Sequence, residues 1–176
     1  VYEVCTDHLD HIQNLIGYFK SKGMHNIAYV GPTPKCRADR RLEAFKNAMA
    51  FHNYELNENF IVQSTFNNNE ICESIKELFT NDVCKPDAII AGSPRFGMLA
   101  MKTCHMLNIK IPDEVGIVAI GSSKYFDIIY PSLSSIELPL YNMGLKAAQM
   151  FLEIIKGGDV EKIAVLPSEI IVRESM

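Results

Sequence analysis

Residues 85–120 read KPDAIIAGSPRFGMLAMKTCHMLNIKIPDEVGIVAI, and the reading of this stretch decides the fold. Ala88 to Ala91 is a short, wholly apolar run, Phe96 to Leu107 repeats apolar residues at helical spacing, and Val115 to Ile120 is apolar again. Strands that lack apolar–polar alternation are strands covered on both faces, so the stretch predicts two parallel strands joined by a helix. Working toward the N-terminus, the same rhythm recurs. Asp7 is placed to cap a helix over His8 to Lys22 with Ile12, Leu15, Ile16 and Phe19 on one face and Gly23 just past its end. A strand Ile27 to Val30 follows, then a helix Ala38 to His52, a strand Phe60 to Val62 and a helix Glu70 to Phe79. Toward the C-terminus the rhythm changes after Pro131. A short Ile136 segment leads into a helix Asn142 to Lys156, stopped by Gly157 and Gly158, and short strands at Ile163 to Leu166 and Glu169 to Val172 close the chain. The class is α/β, a parallel sheet flanked by helices.

The 176 residues, 48% of them hydrophobic, suffice for one ordinary core, and the formal charge of −4 offers no basic field to a phosphate backbone. The segment is therefore not expected to bind DNA by itself. Five cysteines at 5, 36, 72, 84 and 104 follow no metal-ligand spacing and read as reduced thiols of a cytoplasmic protein. No export signal or membrane span is read from the chain, and its apolar runs are far shorter than the roughly 20 residues a span needs. Asp7, His8, Asp10 and His11 share a helix start, where acids answer the helix dipole better than they would hold a metal, so neither metal nor cofactor is expected. Gly92-Ser93 and Gly121-Ser122-Ser123 lack the frames of nucleophile or phosphate loops, and no catalytic constellation assembles.

Several pieces, in order, carry a resemblance: Tyr18 to Ala28 (YFKSKGMHNIA), Arg41 to Phe45 (RLEAF), Lys85 to Ile89 (KPDAI), Ile109 to Val115 (IKIPDEV) and Val172 to Ser175 (VRES). Together the chain resembles the LacI/GalR transcription regulators over nearly its whole length. The resemblance implies a periplasmic-binding-protein-like type I sensor with two lobes and an effector in the cleft between them. Residues 8–135 with 164–176 would form the C-terminal lobe, 1–7 and 136–163 remnants of the N-terminal lobe, and operator DNA would be met only by a head domain absent from this sequence.

By position in these motifs Arg41 is similar to the family's pocket arginine and Phe66 to its stacking aromatic, while Leu140 and Met143 match apolar contacts from the N-terminal side. Arg41 could instead pair with Glu43 or Asp39 on a helix surface, and Phe66 could be ordinary core. Gly92, Ser93, Gly121 and Ser122 stand where the family usually carries hydroxyl-binding acids and amides, so plain sugars are expected to bind poorly and the small-molecule effector to be of another kind. The family dimerises through the helix here at Phe96 to Leu107 and the loop here at Lys124 to Tyr130. A homodimer is thus expected through Met98, Met101, Phe126, Ile128 and Ile129, unless those side chains fold back onto their own lobe. The function implied is effector sensing and dimerisation in a regulator, without catalysis; a solute-binding protein of a transport or signalling system is the alternative.

Overall fold

A computed structural model describes residues 1–33, 40–80 and 84–176. The elements in chain order are β1 (Glu3–Thr6), α1 (His8–Ser21), β2 (Ile27–Pro32), α2 (Arg40–Phe51), a 3-10 turn (Glu58–Phe60), β3 (Ile61–Ser64), α3 (Asn68–Thr80), β4 (Ala88–Ala91), α4 (Pro94–Met106), β5 (Gly116–Ile120), β6 (Ser134–Glu137), α5 (Leu140–Ile155), β7 (Ile163–Leu166) and β8 (Glu169–Ile171). The start expected for α2 at Ala38, together with Asp39 and Cys36, lies outside the described residues.

Six strands form one sheet in the order β3-β2-β4-β5-β6-β8, parallel throughout except for the antiparallel β6–β8 pair at one edge. Alternate residues of the same strands feed two cores. Ala28, Val30, Ile89, Ala91, Ile117 and Ala119 face α3 and α4, while Ile27, Tyr29, Ala88, Ile90, Val118 and Ile120 face α1 and α2. This two-sided burial is why these strands read as continuous apolar runs. The caps are also as the sequence predicts: the Asp7 carboxylate accepts from the Leu9 and Asp10 amides at 2.9 and 3.2 Å, and Gly23 takes φ +74° just beyond α1, a left-handed conformation that costs glycine little.

A second, two-stranded parallel sheet pairs β1 with β7 and receives α5. Two boundaries differ from the sequence expectation. Ile136 belongs to the six-stranded sheet, where it pairs with Ile120 and is 1% exposed, and β7 stands outside that sheet, so of the two closing strands only β8 returns to it. The reason is local: the Ser134–Ile136 side chains are all buried against β5, whereas β7 alternates Ala164 inward with Ile163 and Val165 outward. A sheet of this size cannot cover a 16-residue helix. Met150 is the one buried residue of α5, and Leu140, Leu145, Phe151, Leu152 and Ile155 are exposed.

Candidate functional site

In an open parallel sheet the strand C-termini all lie at one edge, and each following helix begins there with its positive dipole end inward. Here β2, β3 and β4 deliver the first turns of α2, α3 and α4 to one rim, and β5 adds the turn Gly121 to Lys124.

Several of the expected residues meet at this rim. Arg41, in the first turn of α2, donates from Nη1 to the carbonyl oxygen of Gly92 at the end of β4. Ser93 follows as the N-cap of α4, but its hydroxyl makes no cap bond; Oγ is shielded from solvent and has no hydrogen-bond partner. Gly121 turns with φ +89°, its α-carbon close enough to the Pro94 ring that an added Cβ would sit 3.2 Å from Cδ, and Ser122 beside it is exposed. Phe66, 54% exposed, packs edge-on to the buried Phe96 with ring centroids 5.7 Å apart. Leu140 and Met143 lie instead on the first turn of α5, with Leu140 exposed and Met143 half-buried.

Two contributors escape a reading of the sequence. Tyr29 is fully buried, its ring 5.6 Å from Phe45, and its phenol runs up under the rim. A Cβ on Gly31 or on Gly92 would lie 2.6 Å from the Tyr29 hydroxyl, so both glycines are there to let the backbone close over this ring. The signal was the pair of glycines ending adjacent strands. Arg95, in the first turn of α4, reaches the Asn68 amide oxygen at the start of α3 with Nε at 2.9 Å and Nη2 at 2.7 Å, tying two helix starts together.

Next to the rim, Arg40 forms an ion pair with Glu3 of β1, with Nη1–Oε1 2.5 Å and Nη2–Oε2 3.3 Å. This carboxylate raises the arginine's pKa, first through the hydrogen bond and then through charge. The pair crosses from the large sheet's α2 to the small sheet, alongside a crevice of about 300 Å³ between Thr6, Asp7, Ala44 and Asn47. His11, near the same junction, sets its ring nitrogens against the Asp7 and Ser168 carbonyls, which accounts for its burial without any ligand role.

The surface expected to meet a second copy is divided. Met101 and Phe126 point into the chain's own core, at 3% and 0% exposure, because α4 presents them to β5 and the sheet. Met98, Met106, Ile129 and Tyr130 line a groove of about 460 Å³ between α4 and the Lys124 to Tyr130 loop, and Ile128 stands out beside it.

Residues 16–176 match the family described as periplasmic binding protein-like domain. The chain is 29% identical over 157 residues to the ribose operon repressor of Lactococcus lactis subsp. lactis (strain IL1403), covering 88% of this chain and 47% of that protein. It is 23% identical over 176 residues to the HTH-type transcriptional regulator AscG of Escherichia coli (strain K12), covering 99% and 52%. Among solved structures, a regulatory protein of LacI family from Chloroflexus aggregans superposes with TM-score 0.90 at 19% identity, covering 98% of this chain and 62% of that one. The transcriptional regulator CelR in its cellobiose complex gives 0.88 at 22%, covering 100% and 54%. The chain spans about half the length of the curated relatives it matches.

Proposed function

Because the chain belongs to the periplasmic binding protein-like domain family, we propose that it senses a small-molecule effector for a LacI-type transcription regulator. Its homologues are such regulators, and it matches their effector-binding domain. The observation that carries the reading is the meeting of Arg41 with Gly92, beside Ser93 and Gly121, at the strand ends where α/β sheets take their ligands. Arg41, Gly92, Ser93, Gly121 and Ser122 form the floor of the site, Phe66 its wall, and Leu140 with Met143 face it from the α5 side. The six-stranded sheet with α1 to α4 is one lobe. The β1–β7 pair with α5 is part of the other, and its exposed apolar face is the surface on which the rest of that lobe would pack.

Effector binding then shifts the relation between the two lobes, and a head elsewhere in the parent protein reads the operator. Dimerisation uses the groove between α4 and the Lys124 to Tyr130 loop, carried by Met98, Ile128 and Ile129, with Met101 and Phe126 supporting it from below. The role is sensing, not catalysis, and its place is the cytoplasm, where operator DNA is. No helix among the described residues is long and apolar enough to cross a membrane.

The test is a ligand panel read by thermal shift on the wild type and Arg41→Ala. A compound that raises the melting temperature of the wild type and not of the variant supports the site; compounds that stabilise both equally place the sensor elsewhere.

A further inference from the structure

We propose that His11 is a proton-controlled latch on the hinge between the two sheets, holding the β7 side of the Ser168 strap when neutral and the β8 side when charged. The proposal rests on the strand topology and is independent of the effector-site reading.

The chain passes between the two sheets three times: from β1 to α1 through Asp7, from β6 to α5 through Leu138 and Pro139, and from β7 to β8 through Pro167 and Ser168. The His11 ring, 7% exposed, touches two of these crossings at once. Nδ1 lies 2.5 Å from the Asp7 carbonyl oxygen, while Nε2 lies 2.8 Å from the Ser168 carbonyl oxygen and 3.2 Å from the Ser168 amide nitrogen. Among the described residues Ser168 makes its hydrogen bonds to His11 alone, and its own hydroxyl is shielded from solvent without a partner. The ring is therefore what holds the strap at this point.

A carbonyl oxygen can only accept, so Nδ1 carries a proton in either state of the ring. In the neutral imidazole Nε2 then has a lone pair, which accepts from the Ser168 amide. In the imidazolium Nε2 donates to the Ser168 carbonyl oxygen in a charge-assisted bond, and the amide loses its acceptor. The two Ser168 groups belong to different peptide planes. The amide lies on the plane that leads out of β7 through Pro167, and the carbonyl lies on the plane that leads into β8. Gain of one proton thus moves the ring's hold one peptide along the strap, away from the small sheet. An imidazole is suited to this, since it changes charge between about pH 5 and 8. The ionisable groups around the ring are Asp7, His8 and Asp10 on its own helix, Glu169 at the head of β8, Glu3 and Cys5 on β1, Arg40 and Glu43 on α2, and His52 just past the end of α2. The ring's own hydrogen bonds all go to main-chain atoms; the Asp7 carboxylate is spent on the Leu9 and Asp10 amides, and Glu3 on Arg40.

The test is NMR of the whole chain from about pH 8 to about pH 5. The His11 ring and the Ser168 amide are expected to shift together, with one midpoint. Protection of the Ser168 amide against exchange, corrected for the intrinsic pH dependence, should fall about fivefold across it, the net worth of one hydrogen bond, and the β7 amides should lose protection in parallel. His11→Gln should abolish this coupled change, and His8→Gln should retain it. A ring that titrates while the Ser168 amide stays still overturns the latch, as does a ring that keeps one protonation state over the range. Both are read on the wild type, so they decide the matter even where His11→Gln fails to fold. A response that persists in folded His11→Gln belongs to another group and overturns the proposal too, and a Ser168 response with β7 unmoved overturns the hinge role.

Discussion

The Ser175 hydroxyl donates to the Ile117 carbonyl oxygen at 2.6 Å and accepts from the Ser134 amide at 2.8 Å, so the penultimate residue of the chain bridges two neighbouring strands of the large sheet. Its own carbonyl also accepts from the Ile117 amide at 2.8 Å. Ser175 is fully buried. Replacing it by alanine leaves the Ser134 donor and the Ile117 acceptor without partners in a site closed to water, at about 1–3 kcal/mol. Urea unfolding of Ser175→Ala should show that loss with an unchanged m-value; a variant as stable as the wild type would mean that water reaches the gap.

The neighbouring Glu174 makes stability depend on pH. Its carboxylate accepts from the Ser132 amide at 2.8 Å and the Ser132 hydroxyl at 3.0 Å, and these bonds hold its pKa below the ordinary glutamate value. A lowered folded-state pKa contributes stability that is fully present above the ordinary value and is lost as pH falls through the folded one. The difference in melting temperature between wild type and Glu174→Gln should therefore be greatest at neutral pH and shrink in acid. A difference that grows on acidification would reverse the assignment.

Burial pushes the Cys104 thiol up to about 12, while Cys5 and Cys84 are partly exposed. Alkylation at pH 8 followed by mass mapping should label Cys5 and Cys84 first and leave Cys104 until denaturant is added, since only about one part in ten thousand of it is thiolate. The same shift makes this residue's contribution to stability fall as pH climbs above the ordinary thiol value of 9.0. Equal labelling rates would show that α4 does not stay packed on β5.

The dimer proposal is checked by sedimentation of the wild type with Ile128→Asp and Ile129→Asp. Ile128 is 76% exposed, so its substitution leaves the core alone, whereas Ile129 also touches the core. Each charge placed in a dry contact should weaken association by about 2 kcal/mol or more, roughly thirtyfold. A wild type that stays monomeric at high micromolar concentration, or an Ile128→Asp variant that dimerises unimpaired, places the interface elsewhere.

The order and type of the elements were legible because each strand and helix carries its own period, and the errors fall where a neighbour decides. Ile136 looked like a fragment of the smaller lobe because four residues have no period of their own; pairing with Ile120 puts it in the large sheet. Phe126 read as surface because the Lys124 to Tyr130 loop has no period that tells inside from outside, and Met101 because α4 is apolar on more than one side, so its period does not say which apolar side meets the sheet. The motif Val172 to Ser175 was visible, but its purpose was not. Arg173 donates to Asp127, the Leu133 carbonyl, the Ser135 hydroxyl and Glu137, all more than thirty residues away along the chain. At the candidate site Arg41 was found through its motif. Tyr29 was hidden, since a tyrosine in an apolar strand reads as core and only the space above Gly31 and Gly92 shows that its hydroxyl reaches the rim.

The small sheet has a kinetic consequence. Two parallel strands and a helix with one buried residue give β1, β7 and α5 few contacts to lose on opening. In deuterium exchange these segments should form a cooperative unit of their own, exchanging by local opening well below the free energy of global unfolding. The amides of β4 and β5, every residue of which is buried, would wait for the whole chain to open. Opening of that unit also frees the strand edges of β1 and β7 as templates for another chain, so the rate at which this protein ages in concentrated solution is set by its least stable part rather than by its core.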